Sequence, residues 1–261
     1  MLRAGFFLMF MFVFAAVLPA EEEVKWNVEK STHFIIYYKN APHDFVKELV
    51  NYSENYYNKI ADDLGFRRFD FWLWDNRAKI YIYDDREDYN KSTGFSPWSA
   101  GFAVIHTKTI HTYPYAKGFF ETILPHEMGH IVFREFIGFS NRQVPVWLDE
   151  GVASFQEKNR PESASQIVRA AIKNGTYIPL TKLNSMDPRI MADQGTVSLF
   201  YAESVSVVYY LVKQFGKDSF IVLCQRLRDG KTLQESLRST YSIKDMDELN
   251  SNFIKYLGNG R

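Results

Sequence analysis

Apolar and polar positions change period several times along the chain, and each change marks an element. Behind Arg3, Gly5 to Leu18 is an almost unbroken apolar run, followed by Pro19-Ala20 and the acidic cluster Glu21-Glu22-Glu23. This pattern predicts an export signal over residues 1–20, removed after Ala20, with retention as an N-terminal anchor as the alternative. His33 to Tyr38 is rich in β-branched and aromatic residues and predicts a strand. From Pro42 the spacing becomes helical: Phe45, Leu49, Tyr52, Tyr56 and Ile60 recur at three or four residue steps up to Leu64, and Gly65 is placed to stop the helix. Ala78 to Tyr83 alternates Ile80 and Ile82 with Tyr81 and Tyr83, a second strand. Asp84 to Pro97 is polar without a period and predicts irregular chain.

Ser99 to Ile105 and Thr109 to Tyr113 predict two more strands around His106-Thr107-Lys108, with His106 and His111 as turn and strand-face residues. Phe119 to Leu124 and Ile131-Val132-Phe133 then surround a histidine pair with apolar residues, so the helix carrying the pair is expected to be buried. Pro125 suits its first turn, where a missing N–H costs little. Gly138 and Ser140-Asn141 mark a turn before a second helix. Further helices are expected over Glu162 to Lys173, from a Thr196 cap to near Gly216, over Asp218 to Arg228, Leu233 to Ser239 and Met246 to Leu257, with a loop at Pro179. Strands first and helices afterwards predict an α+β fold, divided into an α+β lobe over 21–160 and a helical lobe over 161–261.

Composition narrows the function classes. Without residues 1–20 the chain keeps 30 basic and 31 acidic residues, and no basic stripe points to nucleic acid. Cys224, the single cysteine, lies in the apolar run Phe220 to Cys224 and reads as a buried thiol that can form no intramolecular disulfide.

The candidate chemistry is concentrated in His126-Glu127-Met128-Gly129-His130. Residues four apart share a helix face, so His126 and His130 can hold one metal ion while Glu127 stands beside a water bound to it. Polar groups in such an apolar helix need partners, and a metal supplies one. Nineteen residues lie between His130 and Glu150, enough for a turn and a returning helix that brings Glu150 back as a third ligand; Asp149 is the alternative.

These motifs resemble those of the gluzincin zinc peptidases, the peptidase-MA-like families that include the thermolysin and alanyl-aminopeptidase catalytic domains. Val146-Trp147-Leu148-Asp149-Glu150-Gly151-Val152-Ala153-Ser154-Phe155 is similar to the aminopeptidase W-L-N-E-G-F-A-S-Y stretch, with Asp149 in place of asparagine. Val144-Pro145-Val146-Trp147 fits the segment that precedes the third ligand in the smaller families. The resemblance implies a zincin fold with a small mixed sheet, a pair of zinc helices and a helical C-terminal lobe. It also implies a Zn²⁺ ion on His126, His130 and Glu150, Glu127 as proton carrier, and a peptide or protein substrate. Phe200-Tyr201-Ala202-Glu203-Ser204 is similar to the Y-E-K-G-A helix, which makes Tyr201 the oxyanion donor. In zincins the sheet edge nearest the metal holds extended substrate, and Gly101-Phe102-Ala103 is the matching candidate, its glycine allowing another backbone to approach.

No segment here matches the G-A-M-E-N stretch that gives aminopeptidases an amine-binding glutamate, so an exported endopeptidase is expected. Glu121 and Glu203 are the groups that would support aminopeptidase action. The rival class is a non-catalytic zinc-containing binding or scaffold module of the cell envelope, membrane-attached only if the first segment is retained.

Overall fold

Two strands and the helix between them set the frame. β2 (Phe34–Tyr38) and β3 (Ala78–Ile82) are parallel, joined by α1 (His43–Leu64), and β5 (Thr109–Thr112) adds to β3 in parallel. Antiparallel strands close the two sides, β1 (Asn27–Lys30) on β2 and β4 (Gly101–Val104) on β5, giving the order β1-β2-β3-β5-β4. The computed structural model describes residues 25–65, 72–94, 100–114 and 116–258. The expected signal segment and its processing site at Ala20 lie outside these residues.

Alternation along the strands decides which face is buried. Phe34, Ile36, Ala78, Ile80, Ile82 and Ile110 point into the core and are fully buried. The opposite face carries a cross-strand row of rings, Tyr37 on Tyr81, Tyr81 on His111 and His111 on Phe102, with centroids 4.7, 5.2 and 4.8 Å apart. His111 is thus a strand-face residue, as expected, and burial lowers its pKa.

Two expectations require correction, and one strand lies outside those expected. β1 was not anticipated, because Asn-Val-Glu-Lys carries no apolar alternation and gains its order by pairing with β2. Arg86–Thr93, within the stretch read as irregular, forms α2: Asp85 caps it by accepting the Asp88 N–H, although only Tyr89 is buried. The helix carrying Tyr201 is capped by Asp193 and not by Thr196, whose N–H and hydroxyl both donate to the Asp193 carboxylate.

The helical body follows α3 (Leu124–Ile137), α4 (Val146–Phe155), α5 (Arg160–Asn174), the short α6 (Leu180–Leu183), α7 (Gln194–Phe215), α8 (Lys217–Arg228), α9 (Leu233–Tyr241) and α10 (Met246–Gly258). Among the described residues α7 is the one helix long and apolar enough to cross a membrane, but its buried residues pack against α4, α5 and α8 as the centre of the body. Buried side chains from before and after residue 160 belong to a single hydrophobic cluster. Cys224 sits in it, fully buried, with its thiol pKa pushed up by burial.

Candidate metal centre

An irregularity opens α3. Phe119–Ile123 is one π-helical turn, after which Pro125 occupies the first turn of the α-helix. Pro125 has no N–H to give to the carbonyl of Glu121. That carbonyl accepts the Lys158 N–H at 2.9 Å, while the neighbouring carbonyl of Phe120 accepts the Tyr56 hydroxyl at 2.6 Å. The start of the histidine helix is thereby tied to the chain just past α4.

Two glycines then bring three helices together. A Cβ on Gly129 would lie 2.8 Å from the Ala153 Cα, so only glycine lets α3 approach α4 this closely. A Cβ on Gly151 would lie 2.5 Å from the Ser204 carbonyl oxygen, which sets α4 against α7 in the same way. The glycines of His-Glu-Met-Gly-His and Glu-Gly are thus spacers, and the candidate metal ligands lie beside them in sequence.

His126 and His130 project from α3, and Glu150 meets them from α4. The two Nε2 atoms are 3.2 Å apart, and Glu150 Oε2 is 3.6 Å from that of His126 and 3.4 Å from that of His130. A tetrahedral ion with donors at about 2.0–2.1 Å requires donor separations of about 3.3–3.4 Å. The spacing and the donor set, two imidazoles and one carboxylate, therefore fit zinc.

The outer nitrogens are held as well. His126 Nδ1 lies 2.8 Å from Glu157 Oε1, and His130 Nδ1 lies 3.0 Å from Asp149 Oδ1. Each carboxylate favours the tautomer with its proton on Nδ1, leaving Nε2 free to coordinate. Asp149 is fixed in turn by Arg134, whose Nε donates to Oδ2 at 2.7 Å, and Arg134 donates also to the Asn141 carbonyl. Asp149 is thereby engaged behind His130, on the side away from Nε2.

Burial alone would lower the pKa of both histidines. For His126 the hydrogen bonds to Glu150 and Glu157 outweigh it and raise the pKa to about 9; for His130, Asp149 and Glu150 raise it well above the ordinary value. Burial opposes ionisation of Glu150, but the two imidazoles hold its pKa far below the usual range. With side-chain exposures of 18%, 11% and 15%, these groups form a sheltered pocket in which the surrounding carboxylates favour positive charge on the two imidazoles. A proton or a metal ion can supply it.

Tyr201, on α7, faces the same pocket. Burial is the main cause of its raised pKa, followed by the fields of Glu150 and Glu127, and Arg189 acts in the opposite sense. Its hydroxyl therefore stays protonated and able to donate. Two openings lie near the centre, one at His126 and Tyr201 and the other at Asp149. A cleft of about 710 Å³ is lined by His126, Ser154, Glu157 and Tyr201 together with α5 and the start of α7. A groove of about 500 Å³ is lined by Phe102 to His106, Arg134, Phe139, Asp149 and Arg189.

β4 lies at the sheet edge along that groove, but the reason given above for its glycine needs correction. A Cβ on Gly101 would meet Ile123 Cγ2 at 2.8 Å, so the space beside Gly101 seats the strand on the π-turn. Phe102 and Ala103 do line the groove. Glu203 cannot capture a substrate amine, being wholly buried with Oε1 accepting the Ile178 N–H at 2.8 Å. Glu121 is exposed in the π-turn.

Sequence reasoning missed Glu157, Arg134 and Arg189. Arg134 had a usable signal, lying four residues after His130 on one helix face. Glu157 lies beyond the end of α4, where helical spacing no longer applies. The family model described as Peptidase MA superfamily matches residues 73–259, well over half of the chain, including both histidines, Glu150 and Tyr201. A search of curated proteins returns no match.

Proposed function

From the membership of this chain in the peptidase MA superfamily, we propose that it is an exported zinc metallopeptidase, acting on peptide bonds within extended substrates. The observation that carries this reading is the set of donor separations among His126, His130 and Glu150, which match the edges of a zinc tetrahedron. Bound there, zinc would supply Lewis acidity, lowering the pKa of a water to about 7 and polarising the scissile carbonyl.

The remaining work falls to side chains. Glu127, next to His126 and exerting its field on both His126 and Tyr201, takes the proton released by the attacking water and delivers it to the leaving amine nitrogen. Tyr201 donates its hydroxyl proton in a hydrogen bond to the carbonyl oxygen as negative charge develops there. Asp149 and Glu157 keep the imidazoles oriented. Gly101, Phe102 and Ala103 form the strand on which substrate extends by backbone hydrogen bonds, antiparallel to β4. The Val104 end of β4 adjoins Arg134 and Asp149, and its Gly101 end adjoins Ile123 at the entry to the His126 helix. Substrate therefore enters along the groove by its N-terminal part, and the residues after the scissile bond reach the larger cleft.

The test is Glu127→Gln, which keeps the shape of the side chain but cannot carry a proton. The variant should retain one zinc per chain and bind peptide, with turnover falling about 10²-fold or more. Equal behaviour of wild type and variant on a peptide library, including no cleavage by either, would leave the binding-module reading in its place. For export, N-terminal sequencing of the released protein should begin at or near Glu21, whereas a membrane-associated product retaining Met1 would favour the anchor.

A further inference from the structure

The cleft of about 710 Å³ is unevenly equipped. Both carboxylates of its lining are already engaged, Glu157 by His126 Nδ1 and Asp193 by the N–H and hydroxyl of Thr196. Arg160 is the cation of the lining, half-buried, and among the described residues its guanidinium has neither a hydrogen bond nor an ion pair. Its position does not serve its own helix: it is the first residue of α5, where a positive charge opposes the helix dipole, and Asn159 before it contributes no side-chain cap. The rest of the wall includes Ile167, 46% exposed, with Val197 and Leu199. An apolar side chain could thus lie against a wall that also offers a two-pronged donor.

A guanidinium fork matches a carboxylate with two parallel hydrogen bonds, and partial burial strengthens them. We propose that Arg160 binds a carboxylate of the substrate on the C-terminal side of the scissile bond, while the apolar wall receives the adjoining side chain. The carboxylate belongs either to the free C-terminus of the substrate or to an Asp or Glu side chain. This rests on the peptidase reading and on the antiparallel course along β4.

The probe is the zinc-loaded Glu127→Gln protein titrated with two pairs of peptides of one apolar sequence. One pair differs in a free against an amidated C-terminus, the other, amidated throughout, in Glu against Gln after the cleavage site. The acid member of one pair should bind about tenfold or more tightly than its neutral partner, as expected of a hydrogen bond to a charged group, and the pair showing this names the source. Adding Arg160→Gln should bring that ratio close to one, and Arg160→Lys should leave it intermediate. If Arg160→Gln does not fold, as judged by melting and zinc content, the ratio in Arg160→Lys decides. Equal binding within both pairs, or a ratio that survives the substitution, overturns the proposal. An Arg160-dependent preference with no cleavage of any peptide by wild type keeps the carboxylate site and removes the peptidase reading. Cleavage of acid and neutral peptides by wild type with equal kcat/KM does the reverse.

Discussion

The α-carbon of Gly151 faces the Ser204 carbonyl so closely that a methyl group placed there would stand 2.5 Å from the oxygen. The obstructing atom is backbone and cannot swing aside. Gly151→Ala must therefore push α4 and α7 apart, moving Glu150 and Tyr201 together with their helices. Overpacking of this kind costs about 1–3 kcal/mol. The expected result is a lower Tm and weaker zinc retention; an unchanged Tm would mean that the helices adjust without loss.

Asp149→Ala should weaken zinc binding about 10–100-fold, the usual scale for losing the partner of a metal-binding histidine. It would also leave Arg134 without its carboxylate partner. Glu157→Gln should be milder, since the amide oxygen can still accept from His126 Nδ1. Competition with a chelator of known affinity measures both, and an undiminished affinity in Asp149→Ala would show that the His130 ring holds its orientation unaided.

Tyr201→Phe removes one hydroxyl from a side chain that is otherwise packed. If Tyr201 donates to the oxyanion as proposed, folding and zinc content should be preserved while kcat falls about 10²–10³-fold, the scale seen when such a donor is lost. Equal kcat would reduce Tyr201 to a packing residue.

Glu203 provides a pH prediction away from the candidate metal centre. Burial raises its pKa to about 8 from an ordinary 4.5. Below pH 4.5 it is protonated in folded and unfolded chains alike, so its contribution to stability is complete. Between 4.5 and about 8 only the folded chain keeps the proton, and stability falls by up to about 1.4 kcal/mol per pH unit. Glu203→Gln keeps an acceptor for the Ile178 N–H and does not titrate. The difference in Tm between variant and wild type should thus widen from pH 5 to 8; parallel curves would show that Glu203 ionises without cost.

What could be read from the chain and what could not follows from the range of the forces involved. The clustering of His126, His130 and Glu150 was legible because a metal-binding motif places such residue types at spacings that a helix fixes. α1 was legible from its apolar period, and α7 from its length, although its cap was placed three residues late. α2 escaped because one buried tyrosine makes no period. The role of Glu157 escaped for another reason: its position depends on a backbone bond between Lys158 and Glu121, far apart in sequence, and no side-chain pattern encodes that bond. The glycine of β4 was noticed for the right property, but the neighbour occupying its space, Ile123, is known only once the sheet meets the helix.

The π-turn ahead of α3 bears on protein engineering. His-Glu-Met-Gly-His grafted onto a regular helix would reproduce two donor nitrogens and a nearby glutamate, and in a design it would pass for the same site. It would lack the carbonyl that Pro125 releases, so the chain bearing Glu157 would lose its bond from Lys158 and the carboxylate behind the first histidine would be less firmly placed. Transplanting this centre therefore means moving residues 118–130 together with 146–158 as one rigid cassette, backbone defect included.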